Sequence, residues 1–138
     1  MPYIDRAIQT IKVHEGFRSE VYNDHLGNPT IGFGFLIEDL KLTRSVAEQI
    51  LYMKVSELVR KLESHIKFFH TLPEDAKVVL VDMSYQMGVN GLLRFERFLG
   101  YLGKGKYESA AEEILDSLYA QQTPNRAKMN AAVTRRLI

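Results

Sequence analysis

Apolar residues return at helical intervals along most of this chain, and only one stretch breaks that rhythm. Ile4, Ala7, Ile8 and Ile11 fall three or four positions apart, which predicts a short amphipathic helix from near Pro2 to Glu15, closed by Gly16. From Glu20 the period changes. Val21 and Tyr22 lead into the turn-rich HLGNP, and in TIGFGFLI the residues Ile31, Phe33 and Phe35 alternate against Thr30, Gly32 and Gly34. The alternation predicts a β-hairpin over Ser19 to Phe35, with room for a third short strand.

Helical spacing then resumes. Thr43 or Ser45 can cap a helix on which Leu51, Val55, Leu58, Leu62 and Phe69 recur with Ile66 beside them. Its length is roughly 25 residues, or about 37 Å, enough to connect a β-containing lobe to a helical one. Pro73, Glu74 and Asp75 suit the start of a further helix, and AKVVLVDMSYQM is apolar on nearly all sides as far as Gly88, as a buried central helix would be. Asn90 and Gly91 predict a turn. LLRFERFLGYLG and YESAAEEILDSLYAQQ predict two more short helices, parted at Gly103 and Gly105, and Thr123 with Pro124 opens a last one running to about Arg136. The expected fold is α+β and predominantly α-helical. It is read as one domain over 1–138, with a β-containing lobe at about 14–50 and a helical lobe at about 70–138 that takes the N-terminal helix with it.

Composition narrows the function more than the fold. A chain of 138 residues with 46% hydrophobic content can bury a core without metal or disulfide staples, and the absence of cysteine removes thiol chemistry. A net charge of +1 gives no global case for nucleic acid. The one local excess is the last stretch, where Arg126, Lys128, Arg135 and Arg136 occur without an acid; it reads as a solvated face, an anionic-polymer contact or a set of partners for internal acids. The opening MPYIDRAIQTIKVHEG has neither a basic n-region nor an apolar h-region, so it does not read as a signal peptide. No apolar run approaches the roughly 20 residues a membrane span needs.

Candidate chemistry concentrates in the irregular stretch. Glu15, Asp24 and Thr30 stand nine and then six residues apart, so one carboxyl leaves a helix end while the second leaves the hairpin beside it. Two carboxyls facing one cleft suggest glycoside hydrolysis, one as proton donor and one as the base that activates water, with Thr30 helping to hold that water. Taken singly, each residue has an ordinary reading: a solvated glutamate at a helix end, an aspartate bonding its own turn, a threonine in a strand. Other chemistries fail on spacing. His14 and Glu15 begin like HExxH, but Arg18 stands where the second histidine belongs, so neither a metal nor any other cofactor is expected. TIGFGFLI lacks the third glycine of a dinucleotide loop; its glycines instead permit close packing or a bend beside a ligand. Ser84 and Ser117 lack nucleophile-elbow surroundings.

Four blocks together, HEG at 14–16, YND…TIGFG at 22–34, YQMG at 85–88 and QTPNRAK at 122–128, resemble the phage-type lysozymes of the T-even kind, glycoside hydrolase family 24. The likeness runs from about Ile4 to Arg136. It implies a lysozyme-like fold and hydrolysis, with inversion, of the β-1,4 bond from N-acetylmuramic acid to N-acetylglucosamine in peptidoglycan. In that resemblance Glu15 is the proton donor, Asp24 the water-activating carboxylate, Thr30 the residue that helps place the water, and Arg126 the partner of the acid once its proton is given. Leu36, Tyr85 and Gln86 match substrate-contact positions, where an aliphatic or aromatic face can cover a pyranose.

The resemblance further implies a bacteriolytic endolysin. It would be a soluble monomer acting on peptidoglycan glycan strands, with no nucleic-acid partner and no stable membrane association, held in the host cytoplasm until a separate holin-type protein opens the way to the periplasmic wall. Three departures stand out. Phe35 replaces a histidine common in relatives, the segment from Leu36 to Thr43 is short, and Phe98 and Glu113 occupy positions of polar sugar contacts. A lytic transglycosylase needs the acid but no water-activating carboxylate, and a non-catalytic peptidoglycan binder needs neither; the joint presence of Glu15, Asp24 and Thr30 argues against both.

Overall fold

The computed structural model describes residues 2–138 and shows a largely helical chain with one small antiparallel sheet, an α+β fold of the expected kind. Helix α1 (Pro2–Glu15) leads into strands β1 (Arg18–Asn23), β2 (Pro29–Gly32) and β3 (Phe35–Leu36), then a 3-10 turn at Ile37–Asp39. Helices α2 (Arg44–His65), α3 (Glu74–Leu93), α4 (Glu96–Gly103), α5 (Tyr107–Leu115), α6 (Leu118–Gln122) and α7 (Pro124–Arg135) follow. The chain divides into two compact units, Met1–Ala47 and Glu48–Ile138, and α1 belongs to the first with the sheet.

In the first unit the strands lie in the order β1-β2-β3. Tyr22 pairs with Thr30 and Arg18 with Gly32, with a register shift between them, and Thr30 pairs on its other side with Leu36. Thr30 is therefore the middle of three and is buried. The end of α1 meets the β2–β3 turn through Phe33, whose ring lies 5.4 Å from Phe17 and takes the Lys12 ammonium at 5.6 Å over its face. Phe35 adds an edge contact to the same ring at 6.4 Å.

The core of the second unit follows the predicted stripes. Leu62, Ile66, Phe69, Leu80, Met83 and Phe98 are buried, and α5 packs on α7 through Ala110, Ala111, Ala127 and Ala131, whose small side chains let the two backbones approach closely. Leu62 is fully enclosed, so Leu62→Ala is expected to cost about 3 kcal/mol, as a buried leucine truncation does when its cavity stays open, measured as a lowered denaturant midpoint.

Several boundaries differ from the periodic reading. Thr43 caps α2 through Val46 N–H at 3.2 Å, but the helix ends at His65, and Ile66 and Phe69 reach the core from a turn and a short 3-10 segment. An i, i+3 spacing is shared by α and 3-10 geometry, so the apolar stripe carried on past the helix. The predicted turn at Asn90–Gly91 lies instead at Gly88, whose φ of 78° breaks α3 into two helical pieces. Helix α3 buries Ala76, Val79, Leu80, Met83 and Ser84 yet exposes Val78 and Tyr85, so it is less enclosed than its apolar sequence suggests. The expected second short helix is divided in two, because Ser117 caps α6 by accepting from Ala120 N–H at 3.2 Å. Thr123 does not cap α7 with its side chain; its hydroxyl donates backward to the Tyr119 carbonyl at 3.0 Å.

Candidate functional site

Glu15, Asp24, Thr30 and Leu36 all lie in the first unit, and Tyr85, Gln86 and Arg126 lie in the second. Glu15 is the last residue of α1, and the chain turns away directly after it, where Gly16 N–H closes on the Lys12 carbonyl at 2.9 Å. Glu15 is exposed, as are Ile11 and Phe17 near it in the chain. What touches the Glu15 carboxyl is backbone. Gly34, in the two-residue turn between β2 and β3, comes so near that a Cβ there would stand 2.5 Å from Glu15 Oε2.

Asp24 opens the β1–β2 turn and is fixed by it. Its Oδ1 accepts Leu26 N–H at 2.9 Å and Asn28 N–H at 2.8 Å, an Asx-type arrangement, while Oδ2 takes no backbone bond. The Asn28 N–H holds the Asp24 carboxyl below the usual aspartate range against the opposing effect of desolvation, with Leu26 N–H, the His25 charge and the Asn28 side chain adding to the lowering. A carboxylate kept ionised in this way can accept a proton.

Asn28, which the sequence reading left unremarked, links the two predicted residues. Its carbonyl accepts Asp24 N–H at 2.9 Å and the Thr30 hydroxyl at 2.8 Å, while its N–H binds Asp24 Oδ1. With its proton spent on Asn28, the Thr30 hydroxyl presents lone pairs rather than a donor. Leu36 is half-buried opposite Thr30 on β3.

In the second unit Tyr85 is exposed and lines a groove of about 590 Å³ with Leu51, Val55, Val81, Asp82 and Arg126. Gln86 lies in a separate recess of about 380 Å³ beside Arg94 and Phe95, and its Nε2 donates to Thr123 Oγ1 at 3.4 Å. The partner of Arg126 in this unit is Asp82. Arg126 donates Nε to Oδ2 at 2.8 Å and Nη2 to Oδ1 at 2.6 Å and to the Asp82 carbonyl at 3.0 Å. Asn130 Nδ2 adds a bond to Asp82 Oδ2 and another to Tyr119 Oη, both at 2.9 Å. The Arg126 bonds hold the Asp82 carboxyl below its ordinary range, while burial pushes the Tyr119 phenol up. Asp82 was legible only as a lone acid in an apolar helix, a position that calls for a buried partner without naming it.

The basic C-terminal helix thus meets internal acids. Besides the Arg126 pair, Arg135 Nε reaches Glu108 at 3.0 Å. Phe98 and Glu113, aligned by resemblance with polar sugar contacts, have structural surroundings: Phe98 is buried in the core against Phe95, and Glu113 pairs with Arg97 at 3.2 Å.

A family model described as phage lysozyme matches residues 12–137. "Probable T4-type lysozyme 1" of Dictyostelium discoideum is 28% identical over 146 residues, covering 85% of this chain and 86% of that protein. "Probable T4-type lysozyme 2" of the same organism is 25% identical over 146 residues with the same coverage. The pre-baseplate central spike protein Gp5 of Enterobacteria phage T4 is 28% identical over 147 residues, 86% of this chain but 26% of that protein.

Proposed function

The chain belongs to the phage lysozyme family, and from that premise we propose that it hydrolyses the β-1,4 bond between N-acetylmuramic acid and N-acetylglucosamine in bacterial peptidoglycan, with inversion. The observation that carries the reading is the division of labour inside the first unit. Glu15 holds a carboxyl free at a helix end against bare backbone, while Asp24 is pinned through one oxygen and kept ionised.

Glu15 gives its proton to the departing glycosidic oxygen as the C1–O bond breaks. Water attacks C1 from the opposite face and loses a proton to Asp24. Because both Asp24 Oδ2 and the Thr30 hydroxyl accept, a water between them donates its two protons and turns a lone pair outward. Leu36, half-buried on β3, supplies an apolar face for a sugar. Action in host lysis, with export by a holin-type partner, is the physiological part of the proposal.

Product analysis tests the chemistry. Digested peptidoglycan is expected to show reducing muramic ends by mass spectrometry, and the newly formed hemiacetal is expected to be the α-anomer by NMR before mutarotation. Predominant 1,6-anhydro ends would replace hydrolysis with transglycosylation, and wall binding without any new ends would make the protein a binder.

A further inference from the structure

We propose that Gly34 is a positioning residue for the proton donor: the side chain it lacks leaves the space in which the Glu15 carboxyl sits. The inference rests on Glu15 being the donor and adds what holds it in place. A Cβ on Gly34 would lie 2.5 Å from Glu15 Oε2, 2.7 Å from Cδ and 3.2 Å from Cγ, closer than non-bonded atoms settle. Three side chains set that approach from the same two elements. Phe33 occupies the turn next to Gly34, and Lys12 and Phe17, on either side of Glu15, both rest on the Phe33 ring.

Two separate demands fall on position 34. Its φ of 75° is one that side-chain-bearing residues rarely adopt, and its missing Cβ makes room for the acid. Other glycines let the demands be told apart. Gly105, between α4 and α5, has a φ of 73° and opens onto empty space, so alanine there meets the backbone penalty alone. At Gly34 the obstructing atoms are the far end of a flexible side chain. Alanine there still folds, and the carboxyl swings out of its place. A displacement of about 1 Å in a reacting group is enough to cost on the order of 10²-fold in rate.

The test compares Gly34→Ala with Gly105→Ala on peptidoglycan and on an aryl glycoside of the muramyl disaccharide, whose phenolate leaves without being protonated. Gly34→Ala is expected to lose about 10²-fold in kcat on peptidoglycan, with KM within about twofold, and less than about threefold on the aryl glycoside. Gly105→Ala is expected to show a similar fall in unfolding midpoint and wild-type kcat on both substrates. Wild-type kcat for Gly34→Ala on peptidoglycan, or an equal loss on both substrates, overturns the positioning role. Glu15→Gln run in parallel separates the two readings: if it is active the donor assignment itself falls, and if it is inactive beside an active Gly34→Ala only the positioning role falls.

Discussion

Glu15→Gln is expected to lower peptidoglycan hydrolysis by about 10²- to 10⁴-fold, the share general acid catalysis ordinarily contributes, while the protein stays folded. Glutamine keeps the size of the side chain and its fit against Gly34 but has no acidic proton to give. The stability side is equally definite. Glu15 is exposed, and its carboxylate takes part in no hydrogen bond or ion pair among the described residues, so the unfolding free energy is expected to stay within about 0.5 kcal/mol of wild type. Turbidity loss of purified cell walls, read beside a denaturation curve, checks both halves. A folded Glu15→Gln protein with full activity would remove Glu15 from the reaction.

Asp24→Asn is expected to reduce kcat by about 10²- to 10³-fold with little change in KM, within the range for loss of a general base. The amide oxygen of asparagine can still accept Leu26 N–H and Asn28 N–H, so the turn that Oδ1 organises survives. Only the second oxygen changes, from a proton acceptor to an NH2 group. Steady-state kinetics on soluble peptidoglycan fragments, with circular dichroism as the control for folding, measures the effect. Undiminished kcat with anhydro products would point to a mechanism without a water-activating base. Glu15→Gln and Asp24→Asn therefore fail in different ways, and together they separate the acid from the base.

The elements that carry Glu15, Asp24, Thr30 and Leu36 were more legible than the rest because they are close in sequence. From Glu15 to Leu36 the chain spends its length on one helix end and three short strands, and periodicity reads such local elements well. Asn28 escaped notice because it acts through its backbone, which carries no residue-specific signal. The same limit explains the misplaced turn. Asn90–Gly91 has turn composition but helical surroundings, while Gly88 carries the positive φ that breaks α3. The end of α2 was overrun because Ile66 and Phe69 keep an apolar spacing that a 3-10 turn also satisfies. Thr123 shows a related ambiguity, since a hydroxyl beside a helix start can bond forward as a cap or backward to the preceding turn. Phe98, a departure from the resemblance where polar sugar contacts are expected, is accounted for by its place in the core.

The Asp82 cluster also bears on how the chain reaches its native state. Asp82 lies midway along α3, yet Arg126 and Asn130, which satisfy its carboxylate, lie 44 and 48 residues later on α7. During synthesis, α3 leaves the ribosome well before those partners exist. Until Asn130 has emerged, the helix carries a solvated acid along its apolar length, which disfavours early burial. A charge placed there disfavours closure of the helical unit until α7 is available, and so ties completion of the core to synthesis of that helix.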